Sequence, residues 1–132
     1  MVDAKYHREW RKKNPGKAAA TQARYKSKDP NAYRIAQGQW RRRQPEMWAF
    51  TKQASSARAR GATEFMSREE FAMLWRERHC HWCDCELHES FRWFDHIIPL
   101  CYGGQHTFAN VVASCANCNI RREWERKRSK DY

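Results

Sequence analysis

The chain has 132 residues, of which 41% are hydrophobic and 31% charged, and its formal net charge is +11. This length fits one domain, or a small domain with an appendage, and the polar composition argues against one large hydrophobic core. No apolar run approaches the roughly 18 residues that a membrane-spanning helix needs, and the first residues lack the apolar segment of a secretory signal. We therefore expect a soluble intracellular protein whose partner is a polyanion, nucleic acid first and an anionic membrane surface second.

The positive charge is concentrated in the N-terminal half. Residues 1–60 contain 16 Lys and Arg against four Asp and Glu, whereas residues 61–132 contain 10 against 11. An excess of this size is more than solubility requires, so we expect the two halves to have different roles. Gly61 is a plausible helix C-cap. We place the boundary there and expect a basic arm over 1–62 and a second domain over 63–132.

The basic arm contains three segments that repeat every 15 residues. Each has an aromatic residue at 10, 25 or 40, followed by a basic cluster and a proline at 15, 30 or 45. An Asn or Asp before proline favours a helix start, because its side chain can accept a free backbone N–H and proline suits the first helical position. The repeat predicts helices near 16–27, 31–43 and 46–60, each too short to be stable alone.

The basic side chains of this arm suit contacts with the phosphates of DNA, and its aromatic side chains suit packing or stacking. The alternative is a solvated helical linker whose aromatic residues only pack on their neighbours. Nothing in the repeat indicates contacts with particular bases. The candidate phosphate contacts are Arg11, Lys13, Lys26, Lys28, Arg41, Arg42 and Arg43.

The second half has the pattern of a small mixed domain. Ser67 and Glu70 fit a capping box, and apolar residues at 71, 74 and 75 predict an amphipathic helix near 68–78. Alternating polar and apolar residues over 92–98 predict a strand, 111–113 a second strand, and 116 to about 130 a helix. Gly103 and Gly104 predict a loop with unusual backbone angles.

Four cysteines form two C-x-x-C pairs, Cys80 with Cys83 and Cys115 with Cys118. Disulfides are disfavoured inside cells, and two such pairs give tetrahedral zinc its four thiolates. We therefore predict a structural zinc site. An ion of this kind would help a lobe of about 70 residues to fold, because a core of that size supplies little stability alone.

The remaining cysteines and the neighbouring histidines are expected to have no such role. Cys85 and Cys101 are predicted to be free, with Cys85 as a minor alternative ligand beside Cys83. His79 and His81 are predicted to lie at the surface. His106, in the loop after the two glycines, is also expected at the surface rather than in a catalytic role.

The stretch from Cys80 to Arg122 contains CHWC, DHIIPL, GG and ANVVASCANCN in that order. It resembles the HNH endonuclease family in its zinc-knuckle form, over about a third of the chain. The resemblance implies an α+β protein, with a small zinc-stapled ββα-metal (HNH) domain preceded by the basic all-helical repeat arm. The repeats resemble, more weakly, basic helical repeats that precede some phage HNH proteins, which would place a phage-encoded chain in the host cytoplasm.

The resemblance also implies roles for four residues. His96 would be the general base that takes a proton from the attacking water, and Asn110 would orient it. Asp95 and Asn119 would bind the catalytic divalent cation, Mg²⁺ or Mn²⁺. An imidazole suits base catalysis near neutral pH, and a hard cation prefers oxygen ligands.

The last helix supplies two further candidates. Arg122 stands where many relatives have Lys, and we expect Arg121 or Arg122 to contact DNA, with a solvated helix face as the alternative. The combination of Asp95, His96 and the two asparagines favours a metal-dependent endonuclease that hydrolyses double-stranded DNA, one strand at a time at each active site. The alternatives are a non-catalytic zinc-containing nucleic-acid-binding protein, and an RNA-binding or structural phage protein with a vestigial site.

Overall fold

A computed structural model describes residues 4–88 and 91–129 of the chain. These residues divide into two compact units, Met1–Pro45 and Glu46–Tyr132. The elements in chain order are α1 (Ala4–Lys13), α2 (Pro15–Lys28), α3 (Pro30–Arg43), α4 (Pro45–Ala59), α5 (Arg68–Trp75), β1 (Trp93–His96), a 3-10 helix (Leu100–Tyr102), β2 (Val111–Ser114) and α6 (Ala116–Arg128). Among the described helices, none is both long and apolar enough to cross a membrane.

The first unit consists of α1, α2 and α3, and the prediction of helices near 16–27 and 31–43 is confirmed. Asp29 caps α3 as expected, since its Oδ1 accepts a hydrogen bond from the amide of Ala32 at 2.9 Å. Asn14 differs, because its Nδ2 donates to the carbonyl of Trp10 at 3.0 Å and so closes the end of α1 instead. Neither α2 nor α3 has a buried residue, so these helices leave their basic side chains in solvent.

The second unit begins earlier in the chain than residue 62, where the sequence placed the boundary. Its main core contains Ala49 of α4 together with Phe71 and Leu74 of α5, and Trp48 and Phe50 pack against it. The helix predicted near 46–60 therefore forms, but it belongs to the second compact unit. The reason is its composition, because α4 brings three consecutive large or apolar residues, at positions 48–50, into the shared core.

A two-stranded antiparallel sheet and α6 form the centre of the second unit. β1 pairs with β2 in the register that sets His96 opposite Val111 and Phe94 opposite Ala113. The capping box at the start of α5 is present, with the amide of Glu70 donating to Ser67 Oγ at 3.1 Å and the amide of Ser67 donating to Glu70 Oε2 at 2.7 Å. The two predicted strands and the helix after them are confirmed, although Lys130 lies outside the described residues.

Candidate active site and metal centre

The two C-x-x-C pairs meet in one cluster. The four sulfur atoms of Cys80, Cys83, Cys115 and Cys118 all lie within 4.8 Å of one another. Cys83 Sγ and Cys115 Sγ are 3.8 Å apart. Four sulfurs held at about 2.3 Å from a tetrahedral zinc ion would be separated by about 3.8 Å, so the spacing and the donor chemistry both fit a zinc site.

Backbone amides support thiolate character in this cluster. Burial raises the pKa of the Cys80 thiol, but hydrogen bonds from backbone amides, that of Cys115 among them at 3.3 Å, outweigh it and lower this pKa to about 6. At the start of α6 the amide of Cys118 donates to Cys115 Sγ at 3.4 Å. Arg121 Nη2 lies 3.7 Å from Cys118 Sγ. Thiolates are the form that binds a metal, so the backbone donors favour the ligating state of Cys80 and Cys115, whereas burial and the neighbouring thiols raise the pKa of Cys118 to about 12.

The other cysteines and the flanking histidines lie where the sequence predicted. Cys85 and Cys101 are free and exposed, and His79 and His81 are exposed as well. Among the residues that the structure describes, the four clustered cysteines are a group that could hold zinc.

A separate cleft brings together three of the four predicted catalytic residues. It has a volume of about 550 Å³, and Asp95 and His96 of β1 and Asn119 of α6 line it. Its remaining walls come from α4, from residues 99–101 and from α6. The further polar residues that line the cleft are Gln53, Ser56, Arg60, Glu123, Arg126 and Lys127.

Asp95 is a buried carboxylate with an unequal set of partners. Its Oδ2 accepts hydrogen bonds from Arg122 Nε at 2.6 Å and from Trp82 Nε1 at 3.1 Å. Its Oδ1 lies 3.6 Å from Arg126 Nη1 and has no closer donor among the described residues. One oxygen is thus fixed by protein donors, and the other is the oxygen that is open to an incoming ligand.

His96 is half-buried beside that carboxylate. Burial lowers its pKa, the charge of Asp95 opposes that shift, and the charges of Arg60 and Arg126 add to the lowering. The imidazole is therefore neutral near pH 7 and able to accept a proton. Its Nε2 lies 3.0 Å from Nδ1 of His106.

The expectation that His106 lies at the surface is wrong. Its side chain is 0% exposed, because its main chain pairs with the segment before α5. Its amide donates to the carbonyl of Glu64 at 3.1 Å, and its carbonyl accepts from the amide of Met66 at 2.7 Å. The sequence showed only a polar loop residue after two glycines, and the pairing partner lies about 40 residues earlier.

Asn110 lies beside the loop that follows β1 and makes no hydrogen bond with the His96 ring among the described residues. Its Oδ1 accepts from the amide of Ile98 at 2.8 Å, and its Nδ2 donates to the carbonyls of Ile98 and Gln105 at 3.0 and 2.8 Å. Gly104 passes so close to the Ile98 carbonyl that a Cβ there would collide with it. Gly103 has a positive φ of 84°. Asn110 therefore holds the conformation of the loop after β1, and any influence of Asn110 on the position of His96 is transmitted through that loop.

Arg121 and Arg122, the predicted DNA contacts of α6, differ in their surroundings. The guanidinium of Arg122 binds Asp95, lies 3.6 Å over the ring of Trp82 and donates to the carbonyl of Ile97 at 3.3 Å. Arg121 is exposed, near Glu125 and the Cys118 sulfur. A contact of either side chain with DNA stays a prediction.

Sequence reasoning did not identify Arg60 and Arg126, the arginines that line the cleft itself. Arg126 lies one helical turn after Arg122 on α6, so the four-residue spacing could have predicted that the two side chains share one face of the helix. Nothing in the sequence pointed to Arg60, because only the fold brings the end of α4 to β1.

Comparisons with known proteins agree with this geometry. No protein in the curated set that was searched matches the chain. Residues 80–125, which include the four cysteines, Asp95, His96, Asn110 and Asn119, match the family described as HNH endonuclease. Such a domain acts on nucleic acid. This segment, which contains the antiparallel strand pair, the helix after it and the cysteine cluster, is therefore similar to HNH endonuclease domains.

Proposed function

We propose that the protein is a metal-dependent DNA endonuclease of HNH type that hydrolyses phosphodiester bonds of double-stranded DNA, one strand at a time. The observation that carries the proposal is the cleft in which Asp95, His96 and Asn119 meet. A carboxylate, a neutral imidazole and an amide oxygen in one cleft supply both a cation site and a base.

The residues that would hold the catalytic cation are Asp95, through its Oδ1, and Asn119. Both offer oxygen, which suits Mg²⁺ or Mn²⁺. The partners of the carboxylate support this fit, since Oδ2 accepts hydrogen bonds from Arg122 and Trp82, while among the described residues Oδ1 has an ion pair with Arg126 at 3.6 Å and no hydrogen bond. When bound, such a cation neutralises charge that develops on the phosphate and the leaving oxygen.

His96 would act as the general base. It takes a proton from a water molecule whose oxygen attacks the phosphorus. The bond between phosphorus and the 3′ oxygen breaks, and the leaving oxygen takes up a proton from solvent. The lowered pKa of His96 keeps the imidazole in its basic form at neutral pH. Asn110 would hold the loop after β1 and thereby the position of His96.

The cleft also carries positive charge that suits a phosphate. Arg60, which directly follows α4, and Arg126 and Lys127 of α6 line it beside the candidate catalytic residues. We assign them contacts with the scissile phosphate or its neighbours, because cations at such positions neutralise the DNA backbone. These contacts add to the predicted contact of Arg121 or Arg122, of which the Arg122 guanidinium is already engaged with Asp95 and Trp82.

The first unit would add affinity for DNA without reading its sequence. Residues 1–45 contain 13 Lys and Arg against three Asp and Glu. The helices α1 and α3 each end in three consecutive basic residues. Exposed cations of this density bind phosphates and make affinity depend strongly on salt. The four cysteines would hold a structural zinc, which has no open position for catalysis.

The test is digestion of supercoiled plasmid by the zinc-loaded full chain with added Mg²⁺ or Mn²⁺. The wild-type protein is expected to convert supercoiled plasmid to the nicked form. His96→Ala is expected to lose this activity while still binding DNA, and the matched control His79→Ala, an exposed histidine, is expected to retain it. Cleavage by His96→Ala at the wild-type rate would overturn the assignment of the base. Salt-dependent binding without any cleavage would favour a non-catalytic nucleic-acid-binding protein.

A further inference from the structure

His106 is a buried titratable residue that the mechanism above does not use. Its side chain is 0% exposed, and it is the largest polar side chain among the fully buried ones described. Its ring lies beside that of His96, with centroids 5.2 Å apart and planes inclined by 46°. The distance of 3.0 Å between His106 Nδ1 and His96 Nε2 is that of a hydrogen bond.

The position of His106 is fixed on several sides. Its main chain pairs with Glu64 and Met66, and its ring lies 6.1 Å from that of Phe65. The preceding residue is held too, because Gln105 Oε1 accepts from the amide of Glu64 at 3.1 Å and its carbonyl accepts from Asn110. Residues 64–66 lie outside the segment that matches the HNH endonuclease family, so a part of the chain before that segment helps to hold this ring.

The hydrogen bond between the two rings constrains which nitrogen of His96 can be the base. A neutral imidazole has one N–H and one unprotonated nitrogen. Because Nε2 of His96 is engaged with His106, the nitrogen left to accept a proton from water is Nδ1. Nδ1 is unprotonated only if the proton of neutral His96 is on Nε2, and that N–H must then donate to Nδ1 of His106.

We propose that His106 is a positioning residue whose Nδ1 accepts a hydrogen bond from Nε2–H of His96, which fixes the ring of His96 and keeps its Nδ1 unprotonated for the reaction. This inference rests on the proposed nuclease function. The acceptor also stabilises the imidazolium that forms when His96 takes the proton, since Nε2–H remains a donor in both states.

The burial of His106 favours a neutral ring, which has one unprotonated nitrogen, while its Nε2 is buried without a hydrogen-bond partner among the described residues. Burial, and to a lesser extent the charge on His96, lower the pKa of His106 to about 4. A histidine that stays neutral at pH 7 keeps an unprotonated nitrogen. The opposite arrangement, with His106 donating, would put the proton of His96 on Nδ1 and remove the base, so the two arrangements make different predictions.

Two substitutions separate the effect of the hydrogen-bond acceptor of His106 from the effect of its ring volume. His106→Phe fills the space without an acceptor, whereas His106→Gln retains an acceptor oxygen. In the zinc-loaded full chain, His106→Phe is expected to lower kcat for plasmid nicking by about 100-fold, with the KM for DNA changed by less than about threefold. His106→Gln is expected to recover at least about a tenth of the wild-type kcat. His79→Gln serves as the exposed histidine control, and circular dichroism and zinc content check the fold of each variant.

A spectroscopic measurement tests the hydrogen bond without reference to activity. Two-dimensional ¹H–¹⁵N NMR of the ring nitrogens reports which nitrogen of each histidine carries the proton. We expect the Nε2–H form of His96 in the wild-type protein and a shift towards a mixture of forms in His106→Phe.

Each result decides the question. Equal kcat values for wild type and His106→Phe, or an equal loss in folded His106→Phe and His106→Gln, would overturn the positioning role. A proton on Nδ1 of wild-type His96 would also overturn it. If the wild-type protein cleaves no plasmid, the proposed function fails, and the NMR result alone then supports or overturns the hydrogen bond between the two rings.

Discussion

Arg122 and Asp95 form a close ion pair in the second unit, with Arg122 Nε 2.6 Å from Asp95 Oδ2. The same guanidinium lies 3.6 Å over the ring of Trp82, whose Nε1 donates to the same oxygen at 3.1 Å. A carboxylate that is buried in this way needs partners, because an unpaired buried charge is costly. The pair therefore has a structural role, and it also decides which oxygen of Asp95 is left for a cation.

Replacing Arg122 should weaken the fold. Arg122→Ala removes the closest partner of a buried carboxylate, although Arg126 and Trp82 remain, so we expect the free energy of unfolding to fall by about 1–3 kcal/mol. Arg122→Lys keeps the charge but loses the planar contact with Trp82 and should lie in between. Urea denaturation measures the change, with the exposed Arg128→Ala on the same helix expected to stay within about 0.5 kcal/mol of wild type. If Arg122→Ala were as stable as the wild-type protein, the structural role of the ion pair with Asp95 would be refuted.

Removal of one clustered sulfur should cost the protein its metal. Cys115→Ser takes away one of the four donors that lie within 4.8 Å of one another, and structural zinc in small modules contributes on the order of 10 kcal/mol to folding. We expect zinc content well below one ion per chain and a lower unfolding temperature. Cys101→Ser, which changes a free exposed cysteine, should leave both unchanged. A Cys115→Ser protein that kept its zinc and its stability would show that the four-cysteine site is wrong.

The burial of His106 predicts a particular dependence of stability on pH. Its pKa is about 4 in the folded protein and 6.5 otherwise, so between these values the unfolded chain binds more protons. The contribution of His106 to the free energy of unfolding is therefore fully present above pH 6.5 and is lost as the pH falls towards 4. The loss is about 2 kcal/mol at pH 5, and the lowered pKa of His96 adds in the same direction.

The measurement compares urea denaturation of the wild type and of His106→Gln at about pH 5 and about pH 7.5. Protonation of the cysteine thiolates affects both proteins alike, so the difference between them isolates His106. The wild type should lose more stability on acidification than the variant. Identical pH profiles would contradict a neutral buried His106.

Arg60, the cleft arginine that directly follows α4, should contribute to DNA binding. Arg60→Ala removes a cation beside the candidate catalytic residues, so we expect weaker binding of duplex DNA and a decrease of about 0.9 in the slope of log K against log salt concentration. Lys52→Ala, which changes an exposed residue of α4 that does not line the cleft, is the control. Equal slopes for the two variants would exclude Arg60 as a phosphate contact.

The basic cluster at the end of α3 should contribute to DNA affinity rather than to the rate of the cleavage step. Replacing Arg41, Arg42 and Arg43 together by Gln should weaken DNA binding and lower the salt slope by up to about 3, while the single-turnover cleavage rate at saturating protein stays near that of the wild type. Fluorescence anisotropy across a salt series measures the slope. An unchanged slope would favour the solvated linker over the DNA-binding arm.

Local sequence determined much of this protein. Proline after Asp29 and the Ser67–Glu70 box fixed helix starts, because capping uses groups three residues apart. The cysteine spacing predicted the sulfur cluster, and the order of motifs around His96 predicted the strand pair and helix that bring Asp95, His96 and Asn119 into one cleft.

Only the tertiary structure decided the partners of these residues. His106 is buried by a segment about 40 residues away, Arg122 is drawn to Asp95, and α4 packs into the core of the second unit. Each of these contacts joins residues that are distant in the chain, and burial depends on what such contacts remove from water. Spacing and composition describe one stretch of chain at a time, so they predicted which groups the site contains but not what surrounds each group.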